Sequence, residues 1–282
     1  MTDSNPSTLF SNALVHGAKH LGHLTTARRD AELLLLHVAG KDRAFLLTHP
    51  DAPLTPGQQS TYEQWLNRRA KHEPIQYILG EQEFYGLTFR VTPDVLIPRP
   101  ETEHLIEALL QLIPREAAIR IADVGTGSGA IAITLARKLP HVTITALDVS
   151  PPALKIAQQN AARHNVADRI RFLESDLLSA VADEIFDAII SNPPYVPDSE
   201  ALDPQVRNFE PATALYAGPS GLDIYRRLIP QSWQALKPRG WLFMEIGHGQ
   251  HDALAALLSD WNDVAFIDDL QQIPRVVTAR KP

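Results

Sequence analysis

The chain of 282 residues contains no cysteine, so disulfide bonds and thiolate chemistry are excluded. It also lacks any run of about eighteen apolar residues, the length that a membrane-spanning helix requires. The first residues, 1–7, are polar and do not show the basic and then apolar order of a signal peptide. These absences lead us to expect a cytoplasmic protein that makes no contact with a membrane.

Positive charge is scarce in the larger part of the chain. Residues 1–75 hold eight Lys and Arg and seven Asp and Glu, so residues 76–282 hold 18 of the 26 basic and 26 of the 33 acidic side chains. The net charge is therefore +1 for the first part and −8 for the second. Because nucleic-acid binding depends on cationic side chains that neutralise phosphates, we expect no direct nucleic-acid partner.

Residues 1–75 are predicted to form a separate domain of four short helices. Apolar residues repeat at helical spacing from Ala31 to Val38, and a second such pattern contains Tyr62, Trp65 and Leu66. Three histidines, His16, His20 and His23, have no carboxylate or cysteine near them in the sequence that would complete a metal site, so we predict no metal. The domain carries no catalytic pattern, and we expect it to recognise a protein partner.

Residues 76–100 are predicted to link this domain to a larger one, residues 101–282. Alternating apolar residues around Gly86 indicate a β-hairpin. After it, Pro98 and Pro100 stiffen the approach to a helix that is predicted to begin near Thr102.

A glycine-rich loop separates a predicted strand from a predicted helix in the larger domain. Alternating glycines allow a tight turn and the close approach of a ligand, while N–H groups at the start of the following helix are expected to point at that ligand. Asp148 ends a second apolar strand 19 residues after Gly129, where a carboxylate suits the hydroxyls of a ribose. A nucleoside-containing cofactor is predicted, with these loop residues at its site: Asp123, Gly125, Thr126, Gly127, Ser128 and Gly129.

Two cofactors fit this pattern, a nicotinamide dinucleotide and S-adenosylmethionine. A carboxylate at Asp123 would repel a pyrophosphate, whereas it could attract the ammonium group of a methionine moiety. Asp176 ends a third predicted strand and could reach an adenine amino group, although it could instead cap a helix. Since no hydride-transfer site is evident, the sequence favours S-adenosylmethionine.

A fourth apolar strand, predicted from Ile185 to Ser191, runs directly into Asn192-Pro193-Pro194-Tyr195. The two prolines fix the local backbone and keep Asn192 out of a helix. The segment offers a carboxamide and rigid backbone carbonyls, which are suitable acceptors for a planar NH2 group. Tyr195 either packs against that flat group or caps the strand end as a core residue, and the whole tetrapeptide could also be a simple surface turn.

Four segments in this order closely resemble the bacterial peptide chain release factor N5-glutamine methyltransferases. They are 74–86, 97–103, 123–129 and 192–195, and the similarity continues through Phe209-Glu210-Pro211 and Glu245-Ile246-Gly247. One departure is Leu177, where some relatives carry an aromatic residue. The resemblance implies an α/β fold, a Rossmann-like class I methyltransferase sheet with a small N-terminal helical bundle and a β-hairpin connector.

The implied reaction moves a methyl group from S-adenosylmethionine to the side-chain amide nitrogen of the glutamine in the Gly-Gly-Gln motif of release factors 1 and 2, and leaves S-adenosylhomocysteine. The enzyme is expected to be a monomer without a metal. The residues assigned to catalysis are Asn192, Pro193, Pro194 and Tyr195, and those assigned to the cofactor include Asp148, Asp176, Leu177 and Asn192 beside the glycine loop. The substrate nitrogen is expected to need no general base.

Three alternatives stay open at this point. The same acceptors could hold an exocyclic amino group of adenine or cytosine, in which case the chain would be a nucleic-acid methyltransferase. They could also hold the glutamine of a ribosomal protein, or the chain could bind the cofactor without turnover. The last segments, 264–267 and 276–279, are predicted to be two strands at an antiparallel edge of the sheet and carry no assigned chemistry.

Overall fold

The computed structural model describes residues 8–282. Residues 1–7, for which we predicted no signal peptide and a place in the helical domain, therefore lie outside the described residues. The chain divides into two compact units. The first contains the residues up to Gly80 together with Asp203–Phe209, and the second contains Glu81–Leu202 and Glu210–Pro282. No helix in residues 8–282 is long and apolar enough to cross a membrane.

The helices and strands have the following bounds. The α-helices are α1 (Phe10–His20), α2 (Ala27–Ala39), α3 (Arg43–Thr48), α4 (Pro56–Arg69), α5 (Ile75–Leu79), α6 (Glu103–Leu112), α7 (Ala130–Lys138), α8 (Pro151–Arg163), α9 (Pro204–Phe209), α10 (Asp223–Ala235) and α11 (His251–Leu257). The strands are β1 (Glu81–Phe84), β2 (Leu87–Arg90), β3 (Arg120–Val124), β4 (Thr143–Asp148), β5 (Ile170–Glu174), β6 (Phe186–Ser191), β7 (Leu236–Glu245), β8 (Asn262–Asp268) and β9 (Pro274–Arg280).

Local sequence signals set the ends of the helices in the first unit. Helix α4 begins with a capping box, in which the Thr55 hydroxyl accepts from the N–H of Gln58 and the Gln58 side chain accepts from the N–H of Thr55. Helix α2 is capped at its carboxyl end by Gly40, which adopts the left-handed conformation with φ +61°. Within residues 8–80 the structure has five helices, α1 to α5, instead of the four predicted, and the helix at residues 75–79 had not been predicted.

A buried ion pair joins two helices of this unit. Arg69 Nε of α4 lies 2.7 Å from Asp30 Oδ2 of α2, and both side chains are almost fully shielded from solvent. The Thr26 hydroxyl donates to the same carboxylate at 2.7 Å, and Arg69 also donates to the carbonyl of Glu73 at 3.0 Å. Each charge is therefore paired and hydrogen-bonded, which is the condition under which a buried pair is tolerated.

Asp30→Ala is expected to lower the free energy of unfolding by about 3–5 kcal/mol, because it leaves the Arg69 guanidinium buried without its partner. Arg43→Ala is the matched control, since it breaks the Arg43–Glu32 pair of the same unit at the solvent-exposed Arg43. Its loss should be much smaller because water screens that pair. Urea unfolding followed by circular dichroism measures both, and similar losses in the two variants would show that the buried pair has no special role.

The predicted hairpin is confirmed at the start of the second unit. Strands β1 and β2 pair antiparallel with Phe84 opposite Leu87. The two loop residues, Tyr85 and Gly86, both have positive φ, +52° and +72°. Positive φ at both central positions is typical of the tight turns that match the twist of a two-stranded ribbon.

A seven-stranded sheet forms the centre of the second unit, in the order β5-β4-β3-β6-β7-β9-β8. The first five strands of that order are parallel, whereas β9 pairs antiparallel with β7 and β8 pairs antiparallel with β9. The predicted α/β class and the predicted antiparallel edge are both confirmed. Successive residues of β3, such as Ile121 and Ala122, enter separate apolar clusters, as expected for a sheet covered on both faces.

The strand order reverses between β3 and β6. From β3 the chain crosses to β4 on one side, while β6 lies on the other side and leads on to β7. The carboxyl ends of β3 and β6 are joined, because the Ser191 hydroxyl donates to the Val124 carbonyl at 2.7 Å. In open α/β sheets the crevice at such a reversal is the usual place for a ligand.

Candidate active site

A cleft lies at the carboxyl ends of β3, β4, β5 and β6. Most of the predicted site residues line it, namely Gly125, Gly127, Asp148, Asp176, Leu177, Asn192, Pro193 and Pro194. Thr126 and Ser128 line an adjoining cavity together with Gly125, Gly127, Asn192 and Thr102. Asp123, Gly129 and Tyr195 line neither cavity.

The three loop glycines have different roles. All adopt positive φ, with +74° at Gly125, +54° at Gly127 and +81° at Gly129. A Cβ at Gly127 would meet nothing within 4 Å, so this position leaves open space next to the backbone. A Cβ at Gly129 would lie 2.9 Å from Ile133 Cδ1, so this glycine is needed for close packing behind the cleft.

The N–H groups of the loop are used within the protein. Those of Gly125 and Thr126 donate to the Leu147 carbonyl at 2.8 and 2.9 Å, and that of Gly129 donates to the Thr126 carbonyl. The N–H of Gly127 donates to Asp148 Oδ2 at 2.8 Å. These four loop N–H groups therefore have acceptors within the protein, three of them at the end of β4, and the expectation that N–H groups at the start of α7 point at a ligand stays a prediction.

Asp123 is fully buried beneath the loop. Its Oδ2 accepts from the Thr126 hydroxyl at 2.6 Å and from the N–H of Ala132, in the first turn of α7, at 3.2 Å. Its Oδ1 is buried and has no hydrogen-bond partner among the described residues. Burial raises the pKa of Asp123 to about 7, although these two hydrogen bonds oppose the rise. The carboxylate therefore fastens the loop to the helix.

Asp148 lies at the end of β4 on the wall of the cleft. Its Oδ1 accepts from the N–H of Ser150 at 2.9 Å, while its Oδ2 accepts from Gly127. Burial raises the pKa of Asp148, and the backbone hydrogen bonds oppose that rise. Since a carboxylate can accept about four hydrogen bonds, acceptor capacity remains for two hydroxyl groups.

Asp176 and Leu177 line the cleft beyond the end of β5. The Asp176 carboxylate pairs with Arg227 at 2.5 Å. This carboxylate accepts no hydrogen bond from a backbone N–H of the described residues, so Asp176 does not act as a helix cap. Leu177 has a positive φ of +54°, and its carbonyl accepts from the Ser175 hydroxyl at 2.8 Å, which holds the turn in place.

The Asn192 carboxamide is held from one side. Its Nδ2 donates to the Thr102 hydroxyl oxygen at 3.0 Å. No described residue donates to its Oδ1, although the residue lines both cavities. The segment after β6 therefore brings an acceptor to the cleft, and its role toward a substrate stays a prediction.

Tyr195 packs against the apolar cluster that contains Tyr225. Its hydroxyl donates to Glu245 Oε1 at 3.2 Å, and its backbone carbonyl accepts from Gln250 Nε2 at 3.0 Å. Burial raises the pKa of Tyr195, and the neighbouring Glu245 raises it further. Direct contact between this ring and a substrate stays a prediction.

Glu245 belongs to a segment that resembles the family, and no role was predicted for it. In the structure it is central to the hydrogen bonds behind the cleft. It is 2% exposed at the end of β7, and its Oε2 accepts from the Thr102 hydroxyl at 2.6 Å. Burial raises the pKa of Glu245 to about 7, while the hydrogen bonds from Thr102 and Tyr195 oppose the rise. A carboxylate at the end of an apolar strand is the sequence signal that could have identified this residue.

A second buried carboxylate holds the segment before α6. Glu210 accepts from the N–H of Ile97 at 3.2 Å and forms an ion pair with Arg99. Both residues belong to the segments that resemble the family, and no role was predicted for either of them. Their contact is too distant along the chain to be derived from periodicity.

Two family models match the chain. The PrmC N-terminal domain matches residues 12–80, and the methyltransferase small domain matches residues 102–212. Among solved structures, the hMettl16 catalytic domain in complex with MAT2A 3'UTR hairpin 1 is similar with a TM-score of 0.57, covering 88% of this chain and 90% of that chain. At 19% identity, this likeness shows the fold alone.

Curated relatives are similar over nearly the whole length. The release factor glutamine methyltransferase of Koribacter versatilis is 51% identical over 278 residues, which is 97% of each chain. The protein of the same name from Geobacter sulfurreducens is 44% identical and covers 90% of this chain and 89% of its own. With this degree of identity across both units and the cleft, the chain belongs to the release factor glutamine methyltransferase family.

Proposed function

We propose that the protein transfers the methyl group of S-adenosylmethionine to the side-chain amide nitrogen, N5, of the glutamine in the Gly-Gly-Gln motif of peptide chain release factors 1 and 2. The observation that carries this proposal is the free Oδ1 of Asn192 at the cleft, beside the glycine loop. An acceptor at this place suits a nitrogen that carries two N–H bonds.

The cleft fits S-adenosylmethionine, which when bound supplies a methyl group activated by a sulfonium. Asp148 would accept from the ribose hydroxyls, Asp176 would accept from the adenine amino group, and Leu177 would provide an apolar wall. Gly127 leaves room for the close approach of a ligand. Asp123 would act indirectly, because its buried side chain fastens the glycine loop to the first turn of α7.

The substrate amide requires positioning more than activation by a base. Its lone pair is delocalised into the carbonyl, the resonance that gives an amide a rotation barrier of about 18–20 kcal/mol. Asn192 Oδ1 and the Pro193 carbonyl, neither of which accepts a hydrogen bond from the described residues, would accept the two N–H bonds. They would orient the nitrogen and stabilise the positive charge that grows on it. The extra proton is then acidic enough to be lost to water.

The helical unit would supply the recognition of the release factor. Residues 1–75 carry a net charge of +1 and no catalytic pattern, while residues 76–282 carry −8 and contain the cleft. We retain the assignment of residues 1–75 to substrate recognition, 76–100 to a linker and 101–282 to methyl transfer, with a monomeric enzyme. The same catalytic residues would serve a ribosomal-protein glutamine or a nucleobase, so the substrate needs a direct test.

Label transfer from radioactive S-adenosylmethionine decides between these substrates. The purified protein is incubated separately with release factor 1, release factor 2, ribosomal proteins, and adenine- or cytosine-containing oligonucleotides. We expect label in the two release factors, and none in either release factor when the motif glutamine is replaced by alanine. Label in ribosomal proteins or oligonucleotides instead would contradict the proposed substrate, and cofactor binding with no transfer to any of them would indicate a binding protein.

A further inference from the structure

Four side chains behind the cleft form a continuous hydrogen-bonded series, from Asn192 through Thr102 to Glu245 and Tyr195. The contacts are 3.0 Å from Asn192 Nδ2 to Thr102 Oγ1 and 2.6 Å from Thr102 Oγ1 to Glu245 Oε2. The last contact is 3.2 Å from the Tyr195 hydroxyl to Glu245 Oε1. Of these four side chains, that of Asn192 lines the cleft, and Thr102 lines only the adjoining cavity.

The direction of the protons in this series follows from the chemistry of its members. An ionised carboxylate can only accept hydrogen bonds, so both Thr102 and Tyr195 must donate to Glu245. A hydroxyl has one proton, and that of Thr102 is used toward Glu245. Toward Asn192, the Thr102 oxygen can therefore only accept.

This direction determines which end of the Asn192 carboxamide faces Thr102. The NH2 group can donate across that contact, whereas a flipped carboxamide would place two oxygens against each other with no proton between them. The Asn192 oxygen is thereby directed to the other side, where it receives no hydrogen bond from the described residues. An acceptor facing the cleft is what the proposed reaction requires.

On the basis of the proposed function, we propose that Thr102 and Glu245 are positioning residues for methyl transfer, because they hold the Asn192 carboxamide with its oxygen toward the cleft. Neither residue needs to touch the substrate. Their effect is to exclude the flipped carboxamide, which would present two N–H donors to a substrate group that also donates.

Protonation of Glu245 would remove this constraint. A neutral carboxyl group could donate to Thr102, which could then donate to the Asn192 oxygen and stabilise the flipped carboxamide. The charged groups that act on Glu245 are Glu101, which favours its protonation, and Arg275, which opposes it. Tyr225 donates at 2.7 Å to the backbone carbonyl of Glu245, and this hydrogen bond does not involve the Glu245 carboxylate.

The pH range follows from the direction of the shift. Burial raises the pKa of Glu245 to about 7, so the active, ionised form dominates above that pH and declines as the pH falls through it. Methyl transfer at saturating substrates should therefore have an acidic limb near pH 7. Glu245→Gln should lack this limb, because its uncharged amide does not titrate in this pH range.

Paired substitutions at Thr102 test the positioning role. Thr102→Val keeps the shape but removes the hydroxyl, and we expect kcat to fall roughly tenfold or more with cofactor affinity little changed, while the thermal midpoint falls because the buried Glu245 carboxylate loses a donor. Thr102→Ser restores the hydroxyl and should recover most of kcat. Full kcat in Thr102→Val, or an equal loss in Thr102→Ser, would overturn the proposal.

Two further measurements separate this inference from the proposed function. The kcat–pH profiles of the wild-type protein and Glu245→Gln are compared with release factor as substrate, and the same acidic limb in both would refute the role of Glu245.

Wild-type protein that fails to methylate release factor would refute the proposed function instead. In that case the side-chain NH2 signal of Asn192, followed by NMR with asparagine-specific labelling and assigned with Asn192→Ala, still tests the inference. The chemical shift of this signal should change near pH 7 in the wild type and stay constant in Glu245→Gln. The same pH dependence in both proteins would overturn the inference.

Discussion

Asn192→Ala is expected to lower kcat by about two to three orders of magnitude while the Kd for S-adenosylmethionine stays nearly unchanged. The substitution removes the only side-chain acceptor that we assign to the substrate nitrogen. Loss of one preorganised group at a developing charge typically costs about 10²–10³ in kcat. The affinity for the cofactor should survive because Asp148, Asp176 and the glycine loop remain in place.

Turnover of release factor and isothermal titration with S-adenosylmethionine measure the two effects separately. Asn262→Ala, at the exposed start of β8, is the matched control and should keep both properties. Full turnover in Asn192→Ala would remove Asn192 from the mechanism. A large loss of cofactor affinity with normal kcat at saturation would instead make it a residue of the cofactor site.

Asp148→Ala is expected to weaken the binding of S-adenosylmethionine first. Hydrogen bonds to a charged group contribute about 1.5–3 kcal/mol, which corresponds to a rise in Kd of about tenfold to about a hundredfold. The N–H groups of Gly127 and Ser150 also lose their acceptor, so the loop loses a fixed point beside the cleft. At saturating cofactor, kcat should stay close to that of the wild type.

Isothermal titration of Asp148→Ala measures the loss, with Asp168→Ala as a control at an exposed carboxylate outside the cleft. The pH dependence gives an independent check. Burial raises the pKa of Asp148, so its accepting, ionised form declines at a higher pH than for an ordinary aspartate, and cofactor affinity should fall as the medium becomes acidic. Unchanged affinity in Asp148→Ala would show that another residue holds the ribose.

The residues at the strand ends were predictable because each lies next to its strand in the sequence. Asp148, Asp176 and Asn192 each follow or end an apolar run, and parallel strands bring their carboxyl ends to one edge of the sheet. The hairpin was equally local, since Gly86 permits the tight turn at its centre. These features depend on short-range chemistry, which sequence patterns express directly.

Other features depend on contacts between distant segments. Thr102 and Glu245 are 143 residues apart in the sequence, and nothing in either local pattern predicts that their side chains meet. N–H groups of the glycine loop donate to the Leu147 carbonyl and the Asp148 carboxylate, and these acceptors are determined by the packing of the loop against β4. Likewise, the grouping of Asp203–Phe209 with the helical unit has no signal in the composition of that short segment.

The most direct test of the account is to locate the transferred methyl group by tandem mass spectrometry. Release factors 1 and 2 are incubated with the protein and S-adenosylmethionine, digested, and compared with a parallel reaction that contains Asn192→Ala. We expect one added methylene mass on the side-chain amide of the glutamine in Gly-Gly-Gln, present with the wild-type protein and absent with the variant. A methyl group on any other residue, or equal modification by Asn192→Ala, would contradict it.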